Sequence, residues 1–478
     1  MASGERSAAV IPKNYTTQGQ IKTMIFSSCL GSFITIIVIS FLLRNTAFIN
    51  IYLTNNNVPT SDSVGTQSET TEERVKRSYA TEAKLILLPY AAKKGAVCLD
   101  GSPPGYYYRA GFGKGVGNWI IHFFGGAWCF DEKACLQRSK TVLGSSTFFP
   151  PHPPKLQGIL SSNPKTNPDF YNWNLVMMCY CDGASFSGYR REPVRVNGEY
   201  IYLRGRRILE VIFEELMQSD FRNARRVLLT GTSAGGLAVI IHSDFIRSLL
   251  PSSTDVRAVS DSGYFVDVPS VDGGNIVNRH FKKMFDVHNS AIGINEECVR
   301  SAVPRYRWKC LFPQHTLRFL HTPIFILQSA FDAWQMIHIR GINCQVPNFD
   351  FFTEKRSHVT KRSSENQARH KSWAYKHIHG IYCKPPECTE RELADMLEFR
   401  NLTLRALAPV IRSRDSGLYL TSCMEHSQSL YDDTWTDVYI NEVSIAQAIS
   451  NWCFGRTDFH YHVDCGSFSC NPTCSSVW

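Results

Sequence analysis

One segment, from Arg226 to His242, constrains the fold of this chain more than any other. It reads RVLLTGTSAGGLAVIIH: an apolar strand-like run, then small residues around Ser233, then an apolar helix-like run. A G-x-S-x-G pattern in this context is typical of a nucleophile elbow, the tight turn that lifts a serine hydroxyl off the edge of a parallel sheet. A glycine-rich packing turn is the alternative. The segment predicts a strand, a strained turn and a helix in direct succession.

Apolar runs with the length of strands alternate with helical patterns over residues 81–478. The predicted strands are Trp119–Phe123, Leu175–Tyr180, Arg226–Thr230, Val256–Val259, Pro323–Gln328 and Gly417–Thr421. The predicted helices between them include Tyr202–Met217, Ala234–Leu250, Glu390–Ala408 and Ser444–Trp452. This alternation predicts an α/β fold of the α/β-hydrolase type, with a mostly parallel central sheet and helices on both faces. Residues 270–315 and 340–385 fit the pattern poorly and are expected to form a cap or disulfide-pinned loops.

The first 80 residues have a different organisation. Residues 23–43 form an uncharged apolar run of 21 residues, which as a helix is roughly 32 Å long and spans a bilayer. More basic residues precede the run than follow it, which predicts a cytosolic tail over residues 1–22 and a type II signal anchor. A cleaved signal peptide is the competing interpretation. Residues 44–80 are polar and aperiodic and predict a stem, in which Arg74–Arg77 resembles a proprotein-convertase site.

The cysteine content and the net charge indicate the environment in which the folded part works. The chain has 16 cysteines, which in the secretory pathway predicts mostly disulfides, with Cys129 and Cys135 expected to pair across a short loop. Zinc is the alternative at residues 383–388 and 470–474, but no histidine spacing accompanies these cysteines, so no metal is expected. The net charge of +9 is compatible with an acidic polymer as partner or with a solvated surface. Nucleic-acid binding is not expected, and Asn401 is a candidate N-glycosylation site.

A serine nucleophile needs a base and an orienting acid, which in this fold follow in the order serine, acid, histidine. Asp332 and His426 each come shortly after a predicted strand, where ligands gather in parallel sheets. Ser233, Asp332 and His426 are therefore the predicted catalytic triad. The residues that compete for the acid and base positions are Asp182, Asp261, His122, His242, His321 and His338.

Backbone N–H groups that stabilise an oxyanion are expected from two places. One is Ala234, directly after the nucleophile. The other is the loop Gly125–Trp128 after an early strand, with Gly126 and Ala127 as donors and Trp128 as a substrate contact; a plain β-turn is the alternative. Three arginines, which suit carboxylates, come soon after the 180–188 motif and are candidate substrate contacts: Arg190, Arg191 and Arg195.

Several long motifs make the chain recognisable. They read GAVCLDGSPPG (95–105), NWIIHF (118–123), GILSS (158–162), NPDFYNWN (167–174), YCDGASFSG (180–188), SAGG (233–236), FDAWQ (331–335) and CNPTC (470–474). The chain resembles the plant pectin acetylesterase family, whose distant relative is the animal carboxylesterase Notum. The resemblance implies the triad and oxyanion residues named above, no cofactor, and acetylated pectin as substrate. Phe124 and Ala127 depart from the family's glutamate and glycine; alanine disfavours positive φ, so the loop is expected to be re-aimed.

The resemblance implies a monomeric carboxylesterase that releases acetate from O-acetylated homogalacturonan. It would be held in the Golgi or plasma membrane by its anchor, or reach the cell wall after cleavage of the anchor or stem. A second hypothesis is an esterase for a lipidated secreted protein, as in Notum. Pocket depth separates the two, because a fatty acyl chain needs a long apolar cavity. A third hypothesis is a polysaccharide-binding protein with weakened catalysis.

Overall fold

The computed structural model describes residues 82–342, 344, 388–468 and 470–477. The predicted tail, membrane span and stem lie outside these residues, as does most of the segment 340–385. Within the described part, no helix combines the length and the apolar character needed to cross a bilayer. The anchor over residues 23–43 therefore stays a prediction.

A nine-stranded sheet organises the described residues, with the strand order β1-β2-β4-β3-β7-β8-β9-β10-β13. Neighbouring strands from β4 to β13 run parallel, and β2 is antiparallel to β1 and β4. The strands are β1 Lys84–Leu87, β2 Gly105–Arg109, β3 Asn118–Phe123, β4 Asn174–Met178, β7 Arg226–Thr232, β8 Asp255–Asp261, β9 Ile324–Ser329, β10 Gly417–Thr421 and β13 Tyr461–Val463. Two small hairpins pair β5 Val194–Val196 with β6 Glu199–Ile201, and β11 Tyr439–Ile440 with β12 Val443–Ser444.

Helices cover both faces of this sheet. They are α1 Glu132–Arg138, α2 Gly205–Leu216, α3 Ala234–Ser248, α4 Ile276–His288, α5 Glu296–Ser301, α6 Pro313–Thr316, α7 Ala333–Gln335, α8 Glu390–Ala406, α9 Ala408–Arg412, α10 Asp432–Asp437 and α11 Ile445–Phe454. One apolar core layer contains α2, α3 and α4. The opposite layer contains α11 together with Phe170 and Trp173. The α/β-hydrolase-type architecture predicted from the alternation of strands and helices is confirmed.

All six predicted strands are present, each within two residues of its expected bounds at either end. The prediction missed β1, β2 and β13, which are short or lie at the sheet margin. The predicted helix Glu390–Ala408 runs two residues past the end of α8, and the short helix α9, which has Pro409 in its first turn, was missed. Residues 270–315 contain the helices α4 and α5, and Cys298 is bonded to Cys310 there.

Six disulfides join the described cysteines: Cys98–Cys181, Cys129–Cys135, Cys298–Cys310, Cys344–Cys388, Cys423–Cys474 and Cys465–Cys470. Cys129 and Cys135 are thus placed together, with Cα atoms 5.1 Å apart. Cys179 and Cys453 are buried thiols. Because Cys388, Cys470 and Cys474 lie in disulfides, their sulfur atoms are not available as zinc thiolates.

Register places the ends of the parallel strands side by side. Phe123 of β3 lies opposite Gly231 of β7, and Thr232 of β7 lies opposite Asp261 of β8. Farther along, Ser329 of β9 lies opposite Thr421 of β10. The loops that follow these strands therefore meet at one edge of the sheet, where open parallel sheets bind their ligands.

Candidate active site

Ser233 occupies a strained turn between β7 and α3. Its backbone has φ 55° and ψ −124°, a conformation that L-residues adopt rarely. The turn needs small neighbours: a Cβ on Gly231 would lie 2.4 Å from the carbonyl oxygen of Gly235, and one on Gly235 would lie 2.0 Å from that of Phe123. The Ser233 N–H donates to the carbonyl oxygen of Asp261 at 2.9 Å. This is the geometry of a nucleophile elbow.

Asp332 and His426 form a buried pair at the ends of β9 and β10. The Nδ1 atom of His426 lies 3.0 Å from each carboxylate oxygen of Asp332. Asp332 is fully buried and also accepts from Gln328 Nε2 at 2.8 Å and from the Gln335 N–H at 2.9 Å. Its orientation is therefore fixed before any substrate arrives.

The second ring nitrogen of His426, Nε2, is a buried acceptor. With Nδ1 donating to Asp332, Nε2 carries the lone pair. Nε2 is buried, and among the described residues it has no hydrogen-bond partner. A buried acceptor of this kind is suited to take the proton of a neighbouring hydroxyl.

The residues that competed for the acid position have other partners. Asp261 accepts from the Ser429 N–H and Oγ at 2.7 Å and from Ser262 Oγ at 2.9 Å. Asp182 accepts from the N–H groups of Ala184 and Phe186, and burial raises its pKa to about 6. Of these carboxylates, Asp332 is the one that the structure brings to His426.

The competing histidines are also placed elsewhere. His122 contacts Thr230 Oγ1 at 2.9 Å, and His242 Nε2 contacts the carbonyl oxygen of Ser185 at 2.8 Å. Burial lowers the pKa of both imidazoles to about 3, which keeps them neutral. His321 is exposed, and His338 stands beside Trp334, with ring centroids 4.6 Å apart.

The loop that carries His426 is fastened at several points. The Ser427 N–H donates to Ser262 Oγ at 2.9 Å, and Thr421 Oγ1 donates to Gln428 Oε1 at 2.9 Å. Ser329 Oγ donates to the carbonyl oxygen of Cys423. Cys423 is bonded to Cys474, with Cα atoms 5.2 Å apart. The imidazole is thus positioned by covalent and polar contacts on both sides.

The predicted oxyanion loop lies against the nucleophile. A Cβ on Gly125 would come within 3.0 Å of the Cβ of Ser233, so the two backbones are in close contact. Gly126 has φ 136°, and Ala127 has φ 49°. The expectation that alanine would keep the loop out of the positive-φ region is therefore wrong. Ala127 adopts the left-handed conformation because tertiary hydrogen bonds hold it there.

Two buried side chains hold the carbonyl groups of this loop. Arg138 Nη1 donates to the carbonyl oxygen of Gly126 at 2.8 Å, and Tyr180 Oη donates to that of Ala127 at 2.7 Å. In a trans peptide the C=O and the following N–H point in opposite directions. Arg138 therefore orients the N–H of Ala127 away from itself. Ala234 is the first residue of α3, so its N–H has no acceptor within the helix.

Sequence reasoning missed Arg138, Tyr180 and Ser185 as site residues. Ser185 Oγ donates to the carbonyl oxygen of Ala234 and accepts from Trp128 Nε1, both at 2.7 Å. Tyr180 and Ser185 lie inside the 180–188 motif, so the motif was a signal for them. For Arg138 we find no signal in the sequence, because its role depends on tertiary contacts alone.

Trp128 belongs to a buried aromatic cluster beside His426. Its ring centroid lies 4.8 Å from that of Phe265 and 5.8 Å from that of Trp334. The side chain is only 2% exposed. Trp128 therefore lies in the core, and its expected contact with substrate stays a prediction.

The remaining candidate residues lie at the surface. Arg190 forms an ion pair with Glu132 at 3.5 Å, Arg191 is 88% exposed, and Arg195 lies in β5. Asn401 is exposed on α8, while Thr403 of the same sequon is buried.

One cluster of side chains that is compact enough to suggest a metal site consists of Cys129, Cys135 and His288. Its two cysteines are bonded to each other.

Cavities open on the other side of the oxyanion loop. One of about 60 Å³ is lined by residues that include Gly125, Lys155, Thr232 and Tyr431. Another of about 150 Å³ is lined by residues that include Phe124, Leu143, Phe149 and Cys179. Phe124, Gly125 and Pro154 border both. Open space thus lies beside Gly125, whereas the aromatic cluster beside His426 is filled by side chains.

A parallel α/β sheet with a serine elbow, a carboxylate–imidazole pair and a glycine-rich loop at its C-terminal edge is the arrangement of serine-dependent carboxylic ester hydrolases. The family model described as Pectinacetylesterase matches residues 76–475. The chain belongs to this family, and it is a carboxylic ester hydrolase.

Individual relatives are similar to this chain over most of its length, and one solved structure shares its fold. The chain is 36% identical to pectin acetylesterase 7 of Arabidopsis thaliana over 398 residues, covering 82% of this chain and 93% of the relative. It is 26% identical to the mouse palmitoleoyl-protein carboxylesterase NOTUM over 408 residues, covering 80% and 70%. The solved structure of the Wnt deacylase Notum from Drosophila superposes with a TM-score of 0.64 at 24% identity, covering 82% of this chain and 99% of that one.

Proposed function

We propose that this chain is a serine esterase that hydrolyses acetyl esters of pectin and releases acetate. The observation that carries the proposal is the Asp332–His426 pair, formed at the same sheet edge as the strained Ser233 elbow. The relatives at 33–36% identity are named pectin acetylesterases, which supports the acetylated polysaccharide as substrate.

The proposed reaction assigns one step to each group. Nε2 of His426 takes the proton of Ser233 Oγ as the oxygen attacks the acetyl carbonyl carbon. The carbonyl oxygen becomes an oxyanion against the N–H groups of Gly126, Ala127 and Ala234. His426 then gives the proton to the departing sugar oxygen, and the C–O bond breaks to leave an acetyl-serine. A water molecule, deprotonated by the same imidazole, releases acetate and restores Ser233.

The proposal places the enzyme in the secretory pathway. Six disulfides among the described residues fit an oxidising compartment. The apolar run over residues 23–43 supports an N-terminal anchor, with the catalytic domain on the lumenal side. Protease protection of the catalytic domain in sealed microsomes tests this topology, and digestion from the cytosolic side would refute it.

One experiment tests the function directly. Acetate release is measured from acetylated homogalacturonan with the full chain, beside the variant Ser233→Ala. The expected result is acetate release that the variant loses. Release of palmitoleate from a lipidated peptide without acetate release would favour the second hypothesis. Pectin binding without hydrolysis of either ester would favour the third.

A further inference from the structure

Two regions next to the proposed site differ in how much room they offer: the aromatic cluster beside His426 and the cavities beside Gly125. In the cluster, the rings of Trp334, Phe265 and His426 are mutual neighbours. The centroid of Trp334 lies 5.3 Å from that of Phe265 and 6.1 Å from that of His426, and the last two are 6.5 Å apart. Trp128 belongs to the same cluster, and its ring centroid lies 5.1 Å from that of Phe281. These aromatic residues belong to the core layer that contains α3.

The cluster is filled by side chains. Phe265 and Phe281 are fully buried, Trp128 is 2% exposed and Trp334 is 9% exposed. On the other side of the oxyanion loop, Phe124 and Gly125 border the cavities of about 60 and 150 Å³. Leu160 and Met177, which help to line the smaller one, belong to the opposite core layer. Tyr180, which helps to line the larger one, packs in the same core layer as Trp334, so the closed and open regions adjoin at the oxyanion loop.

We propose that Trp334 is the residue that determines acyl-chain length, by closing the acyl side of the site to groups longer than a few carbons. The inference rests on the proposed function, in which Ser233 attacks the ester. An ester has an acyl half and an alcohol half, and a polymeric alcohol can lie only along the open side. The acyl half then faces the closed side, where each added methylene would meet the indole.

Trp334 carries this role rather than its neighbours because of its place in the chain. It follows Asp332 by two residues, in the single turn α7, so its indole is positioned with the triad. It is the most exposed ring of the four and therefore forms the boundary of the site. Trp128 is instead tied into the scaffold through its hydrogen bond to Ser185.

The test uses p-nitrophenyl acetate, butyrate and octanoate with the full chain. Wild type is expected to lose kcat/KM steeply from acetate to octanoate. Trp334→Ala is expected to raise the octanoate-to-acetate ratio of kcat/KM by at least about tenfold, since one methylene in an apolar pocket already changes discrimination by roughly tenfold or more. Trp334→Leu, which keeps an apolar contact, is expected to give a smaller rise and serves if the alanine variant does not fold.

Trp452→Ala is the matched control. Trp452 is 1% exposed and lies in the opposite core layer, where its Nε1 donates to the carbonyl oxygen of Asp415. This variant should lose stability without changing the ratio. An unchanged ratio in folded Trp334 variants, or the same rise in Trp452→Ala, would overturn the assignment to Trp334. Activity that persists in Ser233→Ala would instead overturn the proposed function, and the inference with it.

Discussion

Arg138 donates from Nη1 to the carbonyl oxygen of Gly126 across 2.8 Å, and from Nε to that of Leu143 at 2.9 Å. The guanidinium is 1% exposed and lies over the ring of Tyr180 at 4.9 Å. A buried cation thus fixes the peptide whose N–H group belongs to Ala127. The loop is set by a side chain that does not contact the substrate in the proposed reaction.

Replacing Arg138 by methionine should therefore lower kcat while KM changes little. The expected loss is about tenfold to a hundredfold, somewhat less than the removal of an oxyanion donor itself. Arg109→Met is the control, because Arg109 is also 1% exposed and donates to the carbonyl oxygen of Leu160 at 3.1 Å. Arg109 lies at the opposite edge of the sheet, paired with Leu175. An equal loss of kcat in both variants would show that Arg138 has only a structural role.

Ser233 and His426 should behave as one unit in catalysis. Ser233→Ala and His426→Ala are each expected to abolish turnover while the fold survives, and the double variant should be no worse than either single one. Steady-state kinetics with circular dichroism measures both properties. Clear additivity of the two losses would contradict the assignment. Asp332→Asn should lose a large factor but retain residual turnover, since it disturbs only the tautomer and orientation of the imidazole.

His242 should make the fold sensitive to acid. Burial lowers the pKa of this imidazole from 6.5 to about 3. Below pH 6.5 the unfolded chain therefore binds a proton at His242, whereas the folded chain does not. Stability is lost as the pH falls through this window, by up to about 2 kcal/mol at pH 5 for this residue. His242→Gln should reduce the difference in unfolding free energy between pH 7 and pH 5 by that amount.

Replacing the surface arginines should affect hydrolysis of the polymer but not hydrolysis of a small ester. If Arg190, Arg191 and Arg195 attract polygalacturonate, replacing all three by glutamine raises KM for acetylated pectin and reduces its dependence on salt. Hydrolysis of p-nitrophenyl acetate should not change, because this ester needs only the triad and the oxyanion loop. The effect should be modest, since Arg190 is already paired with Glu132. Equal losses on both substrates would show that the loop supports the fold instead.

The sequence predicted the parts of the molecule that depend on local pattern. The strand, turn and helix around Ser233 were predicted because an elbow requires small residues at fixed spacing, and Asp332 and His426 were paired because both follow apolar strands. β2 was missed because its run of three tyrosines gave no alternation of apolar and polar residues. β13 has only three residues and obtains its order from pairing with β10.

The oxyanion loop shows why the remainder could not be predicted. The conformation of Ala127 is unfavourable for alanine taken alone, and the sequence argument followed that local preference. The contacts that reverse it come from Arg138 in α1 and from Tyr180 after β4. Such contacts exist only once the sheet has formed, so local propensity gives no information about them.

The bond between Cys423 and Cys474 links the order of synthesis to the onset of activity. The segment that carries His426 is anchored through Cys423 to a cysteine that lies late in the chain. A ribosome-bound intermediate can complete the Ser233 elbow long before Cys474 emerges. With His426 as the proposed base, its loop gains this covalent anchor only after Cys474 has been translated and oxidised, and we expect full activity only from that point.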